Sequence, residues 1–409
     1  MKFDKLFGYN PRVQYFPEYD MKPDTEWYGV KALCYDGVEY KGKKTKVFAH
    51  IGYPEIKSGE KVPAIVLVHG GGGHAFPEWV KLWNQRGFAA IAMDTTGFVP
   101  REDRKGMIGT EAFQMDGEYE KELYGDFLED GYILGPHNSG MKDYSLPIEE
   151  QWIYHAVADT ILAHNILLND ETIDSEKIGI CGISWGAVVT SIAIGYDTRY
   201  AFAIPIYGSG CLDYEPSPNL PKVFKEETVR KLWSASDNFD KVKFPVFWKC
   251  WTYDSAFSIG ANSLSYLATK KSGSYLSISH DMGHSHCAGW TPLDGYRFAE
   301  CVIDGKSPFI KVIDEPEGFL DISFNIEVPD DFENVKAEIF YLSEPMEYDK
   351  NNNMIHKWQG IKANIINNTI TGKIPDGVSC YFVELKGDVD GKTYITNTSL
   401  LLNDKNYEE

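Results

Sequence analysis

The sequence predicts an α/β domain with a doubly wound, mostly parallel sheet, followed by a smaller all-β sandwich domain. Short apolar runs alternate with amphipathic segments throughout residues 63–303, a pattern typical of a sheet with helices on both faces. After Gly305 the alternation stops, and residues 309–402 contain short strand-like stretches separated by turn residues, with no helical period. That second pattern is typical of a β-sandwich. We therefore predict two domains, 1–304 and 305–409, in this chain of 409 residues.

The composition excludes several kinds of partner. The formal net charge of −20 and the pI near 5.0 would repel nucleic acid and anionic membrane surfaces, so we expect neither as a partner. Seven cysteines without C-x-x-C spacing indicate a reducing compartment. The first residues, MKFDKLFGYNPRVQYF, show no signal-peptide pattern, and no run of about 18 apolar residues could span a bilayer. These features predict a cytoplasmic protein, and they are compatible with a homo-oligomer.

Two segments precede the alternating region. Residues 1–25 are rich in proline and tyrosine, and we expect them to cross the surface as an irregular arm. Residues 26–53 alternate apolar and polar side chains around turn residues. This alternation predicts antiparallel strands at one edge of the sheet.

Within the alternating region, continuous apolar runs predict strands that are covered on both faces. The runs lie at 64–68, 88–93, 200–207, 245–253 and 275–279. Apolar residues at helical spacing predict helices at 76–86, 149–168, 188–194, 223–233, 262–271 and 292–303.

Two insertions, at about 100–146 and 211–242, interrupt this order. The first is charged, broken by glycines and rich in tyrosine, including Tyr119 and Tyr124. A segment this long in a compact domain is usually functional. We therefore expect the first insertion to form a lid or a wall of the functional site.

The stretch KIGICGISWGA, residues 177–187, contains the candidate nucleophile. A short apolar strand is followed by Gly182 and Gly186, which flank Ser184 in the spacing G-x-S-x-G. A serine in so tight a strand-to-helix turn has a strained backbone, and its hydroxyl projects from the sheet edge. Glycine is needed on both sides because a Cβ there would collide with the neighbouring strand and helix. The motif also occurs by chance in other proteins, so the surrounding sequence must show whether Ser184 is a nucleophile.

Four glycines, 70–73, follow a predicted strand and His69. Consecutive glycines lose much conformational entropy on folding, so a chain keeps them where backbone N–H groups must approach a ligand. In an H-G-G-G arrangement these groups form an oxyanion hole, for which we predict the N–H groups of Gly71, Gly72 and Trp185. A flexible loop is the first alternative. A phosphate cradle is the second, but it lacks the G-K-S/T that should follow.

The loop HDMGHSHCAGW, residues 280–290, follows the last predicted strand of the α/β domain, and we call it the histidine loop. It offers three candidates for the base. His284 is the first choice, because it follows Gly283 on a loop that can reach over the sheet edge. His286 is the second choice. His280, the nearest to the strand, is the third.

Asp254 is the predicted acid. It comes directly after the apolar run 245–253 and before the histidine loop, so that nucleophile, acid and base follow the chain order of hydrolases with a nucleophile elbow. Asp281 and Asp294 are weaker candidates. A zinc site is the alternative interpretation of the three histidines in this loop. The spacing H-D-x-G-H-x-H matches none of the zinc signatures, however. We expect no metal and no cofactor, and a small-molecule ester as the substrate.

These motifs together resemble the α/β-hydrolase superfamily. The phrases HGGGGHAFPEWVKLWNQRGFAAIAMD and EEQWIYHAVADTILAHNILL, with GISWG and PIYGSG, look like its bacterial acetyl xylan esterase and dienelactone-hydrolase-like branch, over about residues 60–300. The resemblance implies an enzyme that removes acyl groups, often acetyl groups from plant-cell-wall sugars. Two positions depart from the branch. Dienelactone hydrolases use a cysteine where Ser184 stands, which disfavours their substrates, and Ala187 replaces a second glycine that many relatives have.

Three functions are compatible with these residues. The first is a serine esterase, a carbohydrate acetylesterase acting on short acetylated sugars. The second is a peptidase of the prolyl-oligopeptidase type, which would use the same triad, although no propeller repeat precedes the catalytic segment in this sequence. The third is a binding protein on a hydrolase scaffold, against which the retained Ser184, Asp254 and His284 argue.

The predicted β-sandwich contains three aromatic residues of interest, Tyr341, Trp358 and Tyr381. They could stack a sugar ring in a carbohydrate-binding module. Packing in the core of the domain, or mediating a dimer, is the alternative that we favour.

Overall fold

The computed structural model of the protein describes residues 2–101, 103, 105, 113–114, 125–212, 222–351 and 353–403, with the backbone alone at 113–114. The chain divides into two compact units. The first unit contains the described residues up to 205 and those between 222 and 242. The second unit contains the described residues of 206–212 and of 243–403.

The first unit is built on a mixed sheet. The strands of the unit are β1 (Val13–Tyr15), β2 (Lys31–Asp36), β3 (Lys44–Gly52), β4 (Val62–Val68), β5 (Ala89–Met93), β6 (Val99–Pro100), β7 (Phe113–Gln114), β8 (Tyr132–Leu134), β9 (Ile173–Ile183) and β10 (Phe202–Ile206), whose last residue belongs to the second unit. Of these, β6 and β7 pair with each other in a separate two-stranded sheet, and β8 pairs with β3. Its helices are α1 (Pro77–Asn84), α2 (Trp152–Leu168), α3 (Trp185–Tyr196) and α4 (Glu227–Trp233). The strand order is β1-β2-β3-β5-β4-β9-β10.

The centre of this sheet is parallel and buried, as the apolar runs predict. β4 pairs in parallel with β5 on one side and with β9 on the other, and the side chains of 64–68 and 89–93 are at most 2 % exposed. β1, β2 and β3 pair antiparallel and form the predicted antiparallel edge. The prediction of an α/β fold with a mostly parallel sheet is confirmed.

The N-terminal segment is more ordered than its composition predicts, since it contains β1. Phe3 is fully buried and stacks on Tyr154 of α2, with ring centroids 5.2 Å apart. Asn165 of α2 donates hydrogen bonds of 2.7 Å to the carbonyl oxygens of Leu6 and Tyr9. Because this segment covers it, α2 is buried on nearly all sides, rather than along the single stripe that we expected.

The second unit contains the end of the α/β region and the β-domain, which we define as residues 309–403. The α/β part has the parallel strands β11 (Phe247–Trp251) and β12 (Tyr275–Ser279) and the helices α5 (Ile259–Thr269), α6 (His286–Trp290) and α7 (Asp294–Ile303). The second unit thus includes residues on both sides of Gly305, and the domain division at that residue stays a prediction.

The described residues of the β-domain form an antiparallel sheet. Its strands are β13 (Lys311–Val312), β14 (Asp321–Glu327), β15 (Glu333–Leu342), β16 (Gln359–Ile366), β17 (Thr369–Lys373), β18 (Cys380–Val389), β19 (Lys392–Asn397) and β20 (Leu401–Leu402). The order is β13-β14-β17-β16-β15-β18-β19, with β20 beside β18. Every second side chain of β14 is buried, as expected of a sheet that covers a core on one face. The predicted all-β domain is confirmed.

Two of the three aromatic residues singled out in this domain pack inside it. Tyr381 is fully buried and its hydroxyl donates to the carbonyl oxygen of Gly318, 2.8 Å away. The ring of Trp358 lies 5.0 Å from that of Phe382. These contacts favour the interpretation that the aromatic residues support the domain core.

Much of the two predicted insertions lies outside the described residues, including Tyr119 and Tyr124 of the first and residues 213–221 of the second. The proposed lid therefore stays a prediction. None of the helices that the structure describes is long and apolar enough to cross a membrane.

Candidate active site

Ser184 lies at the turn between β9 and α3. Its backbone has φ 56° and ψ −119°, a conformation that costs a residue other than glycine about 1–3 kcal/mol. Strain of this kind persists only where the surrounding structure imposes it. Ser184 is also the N-cap residue of α3, and the positive end of a helix dipole stabilises an anion that forms beside it.

Close contacts explain the two glycines around Ser184. A Cβ at Gly182 would lie 2.3 Å from the carbonyl oxygen of Gly186 and 2.3 Å from Oγ1 of Thr190. A Cβ at Gly186 would lie 2.0 Å from the carbonyl oxygen of Val68. These distances are far below van der Waals contact, so β4, β9 and α3 can meet at this turn only through glycine.

The glycine-rich loop after β4 lies against the residue that follows Ser184. The N–H of Gly73 donates to the carbonyl oxygen of Gly70 at 3.1 Å, and Gly72 has a positive φ of 69°. A Cβ at Gly71 would lie 3.0 Å from Cδ1 of Trp185. The structure therefore brings Gly71 and Trp185 together and leaves Gly72 exposed at the turn. The use of their N–H groups as an oxyanion hole stays a prediction.

The indole of Trp185 is held by other aromatic side chains. Its ring centroid lies 5.5 Å from that of Trp152, edge to face, and 5.6 Å from that of Phe224. Nε1 of Trp152 donates to the carbonyl oxygen of Thr95 at 2.7 Å. Trp185 is thus a supported wall beside Ser184, because aromatic pairs of this geometry attract each other and exclude water.

His69 supports the glycine-rich loop, a role that the sequence analysis missed. Its Nε2 accepts a hydrogen bond from the N–H of Thr95 at 3.1 Å, so Nδ1 carries the proton and donates to the carbonyl oxygen of Gly70, 2.8 Å away. Burial lowers the pKa of His69 to about 4, and the imidazole is neutral at pH 7. Its place directly before the four glycines is the signal that could have identified it.

Asp254 and His284 form a hydrogen-bonded pair. Nδ1 of His284 lies 3.0 Å from Oδ2 of Asp254, while Oδ1 of Asp254 accepts from the N–H groups of Ala256 and Phe257 at 2.7 and 3.0 Å. The acceptor role of the carboxylate places the imidazole proton on Nδ1, so Nε2 carries the lone pair that a general base needs. The Asp254 side chain is 1 % exposed and that of His284 is 29 % exposed.

Two aromatic rings and a hydrogen bond orient the loop around His284. The ring of Tyr207 lies 4.5 Å from the imidazole, and the ring of Phe257 stacks on it at 6.2 Å. The hydroxyl of Tyr207 donates to the carbonyl oxygen of Ser285. Tyr207 is fully buried and has a positive φ of 33°. The sequence contains it in the phrase PIYGSG, but nothing there predicts these contacts.

The other candidates of the histidine loop have different neighbours. Nε2 of His280 lies 3.2 Å from a carboxylate oxygen of Glu384, and the ring of His286 lies 6.3 Å from that of Trp290. Asp294 pairs with the ammonium group of Lys249. Among the residues that the structure describes, no group of three or more His, Cys, Asp or Glu side chains is arranged to hold a metal ion.

Ser184 belongs to the first unit, and Asp254 and His284 belong to the second. A strained serine between a parallel strand and a helix, with a glycine-rich loop after the neighbouring strand, is the arrangement of the nucleophile elbow in the α/β-hydrolase fold. The second unit contains, by itself, an Asp-His pair of the kind that serine hydrolases use. The model of the prolyl oligopeptidase family matches residues 131–242, which include Ser184. None of the curated proteins matches the chain significantly.

Several solved structures are similar to part of this chain. An acetyl xylan esterase from a Paenibacillus species is 17 % identical, with 73 % of this chain and 91 % of that one covered and a TM-score of 0.49. Acetyl xylan esterase from a Thermoanaerobacterium species is 15 % identical, with 73 % and 92 % covered and a TM-score of 0.49. The acylaminoacyl peptidase of Pyrococcus horikoshii is 18 % identical, with 71 % of this chain but only 41 % of that chain covered, and a TM-score of 0.45.

Proposed function

We propose that the protein is a serine esterase that removes acyl groups, acetyl groups above all, from carbohydrate esters such as acetylated xylo-oligosaccharides. The observation that carries the proposal is the backbone of Ser184, which is held in a strained conformation at the N-terminus of α3. Strained residues concentrate where function needs them. The hydrogen bond between Asp254 and His284 supports the same proposal, because it selects the tautomer that a base requires.

In the first half of the reaction, Oγ of Ser184 attacks the carbonyl carbon of the ester while Nε2 of His284 takes its proton. The Asp254 carboxylate stabilises the resulting imidazolium. The N–H groups of Gly71, Gly72 and Trp185 donate to the oxyanion of the tetrahedral intermediate. Each donor lowers the activation free energy by about 3–4 kcal/mol. The bond between carbon and the alcohol oxygen then breaks, and the alcohol leaves with the proton from His284.

In the second half, water attacks the acyl-enzyme. His284 accepts a proton from that water, the oxyanion occupies the same donors, and the bond between the acyl carbon and Oγ breaks. The proton returns to Oγ and the carboxylic acid is released. Ser184 and His284 end in their starting protonation states, so the cycle needs no cofactor.

Three features support a small, uncharged ester as the substrate. The net charge of −20 would repel long anionic substrates. Trp185, which follows Ser184 directly, packs against Trp152 and Phe224, and such an aromatic surface suits a short acyl chain. The phrases that resemble the acetyl xylan esterase branch suggest an acetylated sugar. The seven cysteines are all free, and we propose that the reaction takes place in the cytoplasm.

A peptidase is the second candidate, and the match of residues 131–242 to the prolyl oligopeptidase family favours it. The same nucleophile, base and acid would cleave a peptide bond. A peptidase of this type would carry a propeller before the catalytic segment. In the part of the chain that the structure describes, the residues before Ser184 instead form the strands of the α/β sheet and the helices beside it.

The test is hydrolysis of a phenyl acetate by the wild type and by Ser184→Ala, followed by a panel of acetylated xylo-oligosaccharides, longer acyl esters and aminoacyl anilides. The proposal expects turnover by the wild type alone and the highest kcat/KM on the acetylated sugars. Hydrolysis that survives in Ser184→Ala contradicts the mechanism. Preference for the anilides selects the peptidase, and no turnover of any substrate selects a binding protein.

A further inference from the structure

Glu384 of the β-domain is a buried carboxylate that the proposed mechanism does not use. It lies on β18 with its side chain 1 % exposed. One oxygen accepts from the ammonium group of Lys386 at 2.7 Å, and the other lies 3.2 Å from Nε2 of His280. Burial alone would raise the pKa of Glu384, but the interactions with the imidazole of His280 and the ammonium group of Lys386 outweigh it and lower that pKa. A buried charge with this pairing is lost only at considerable cost.

The partner of Glu384 is the first residue of the loop that carries His284. His280 follows β12 directly, and its ring lies 4.1 Å from that of Phe340 and 6.1 Å from that of Phe382 in the β-domain. The imidazole is thus held on its faces by aromatic rings and at Nε2 by a carboxylate. The loop starts from a residue whose position the β-domain determines.

The β-domain also contacts the strand before the loop and lies near the acid. The N–H of Ile278 donates to Oδ1 of Asn397 at 2.7 Å, so a hydrogen bond joins the end of strand β12 to the end of strand β19. Burial, with a contribution from the charge of Asp254, raises the pKa of Tyr348 to about 12. Tyr348 belongs to the β-domain, which therefore lies within electrostatic range of Asp254.

We propose that the β-domain is part of the catalytic apparatus, with Glu384 as a positioning residue that acts through His280 to place His284 against Asp254. This inference rests on the proposed role of His284 as the base. It gives the β-domain a function other than carbohydrate binding. The loop is then held at both ends, by Glu384 at His280 and by Tyr207 at Ser285.

The test replaces the partners separately and together. In His280→Leu the loop loses its polar anchor, and we expect kcat to fall about 10- to 100-fold, as small misplacements of a catalytic group do, with KM unchanged. His280→Gln keeps a donor for Glu384 and should recover most of kcat. Adding Glu384→Gln to His280→Leu should reduce kcat no further, because residues that act through one contact are not additive.

A matched control is Asp331→Asn, which breaks another ion pair of the β-domain, with Arg297 of α7 at 2.7 Å. It should leave kcat unchanged. All variants are assayed below their unfolding transitions, and if His280→Leu does not fold, Glu384→Gln alone replaces it, with a smaller loss of kcat expected.

A spectroscopic readout separates this inference from the proposed esterase activity. The low-field proton resonance of Nδ1–H of His284, assigned by its absence in His284→Gln, should shift or broaden in His280→Leu and stay unchanged in Asp331→Asn. If no ester is hydrolysed but the resonance responds in this way, the proposed function fails and the positioning role stands. An unchanged kcat together with an unchanged resonance in His280→Leu overturns the positioning role.

Discussion

Three histidines of the first unit are buried and have a lowered pKa, whereas three histidines of the second unit are partly exposed and lie beside carboxylates. Burial lowers the pKa to about 4 in each of three first-unit residues, His50, His69 and His155. In the second unit, carboxylates lie within 3.0–3.2 Å of three imidazoles with 21–31 % side-chain exposure, those of His280, His284 and His356. An imidazole that must accept a proton near pH 7 needs water nearby or an anion beside it. The proposed base, His284, is one of the three histidines that meet this requirement.

Ser184 and His284 are also held by different interactions. Ser184 is held by backbone contacts, in which glycine atoms of β9 and α3 touch the end of β4. His284 is held by side chains, namely Asp254, Tyr207 and Phe257. The nucleophile should therefore be sensitive to any added Cβ, and the base should be sensitive to loss of single polar partners.

The largest expected effect is at the nucleophile. Ser184→Ala should lower kcat by about 10⁵- to 10⁶-fold, the scale found when a triad serine is removed. Ser184→Gly should be equally inactive but more stable by about 1 kcal/mol, because glycine relieves the positive φ. Steady-state kinetics and urea unfolding check both. A Ser184→Gly variant less stable than Ser184→Ala would show that the backbone is not strained.

The next effect is at the acid and the base. Asp254→Asn should preserve the packing around His284 but favour the wrong tautomer, and lower kcat by about 10⁴-fold. His284→Gln should cost at least as much. His286→Gln is the comparison within the same loop, and we expect it to keep its activity. If His286→Gln loses activity and His284→Gln keeps it, His286 and not His284 is the general base.

A smaller effect, on folding rather than on chemistry, is expected at the elbow. Gly186→Ala would place a Cβ 2.0 Å from a backbone oxygen that cannot move independently of β4. We expect the free energy of unfolding to fall by about 4 kcal/mol or more, in the exceptional range for a single substitution. Gly135→Ala is the control, since no atom lies within 4 Å of its added Cβ. Equal stability of the two variants would contradict the close contact.

The smallest effect per residue is the pH dependence of stability. The pKa values of His50, His69 and His155 are lowered from 6.5 to about 4 in the folded state, so between these values the unfolded chain binds more protons. Stability should therefore fall as the pH decreases from 7 to 5, by about 2 kcal/mol for each histidine. Asp94, whose pKa burial raises to about 6, binds protons in the folded state and offsets part of the loss. Urea unfolding at pH 7, 6 and 5 measures the sum, and stability that rises on acidification would contradict it.

The sequence predicts those features in which a close contact or a buried strand allows only a few residue types at a position. The glycines at 182 and 186 and the apolar runs of β4, β5 and β12 follow from contacts that tolerate few residue types. The order of Ser184, Asp254 and His284 along the chain led to the pair that the structure places 3.0 Å apart. Among the three histidines of the loop, the sequence analysis chose His284 for its place after Gly283, and the structure shows it beside Asp254 while His280 lies beside Glu384.

The features that were missed depend on partners far away in the sequence. Phe3 is buried because it meets Tyr154, and His280 is anchored because it meets Glu384, 104 residues later. No local pattern signals such pairs, since a phenylalanine in an arm and a histidine in a loop look the same with or without them. Tyr207 is a similar case, because its hydroxyl reaches a carbonyl group 78 residues along the chain.

The most direct test of whether Ser184 of the first unit and His284 of the second unit work as one site is covalent labelling with a fluorophosphonate, followed by peptide mass spectrometry. The account predicts one modified peptide, the one containing Ser184, with a labelling rate that falls strongly in His284→Gln and is unchanged in His286→Gln. Labelling at another residue, or labelling of Ser184 at the same rate in all three proteins, would contradict it.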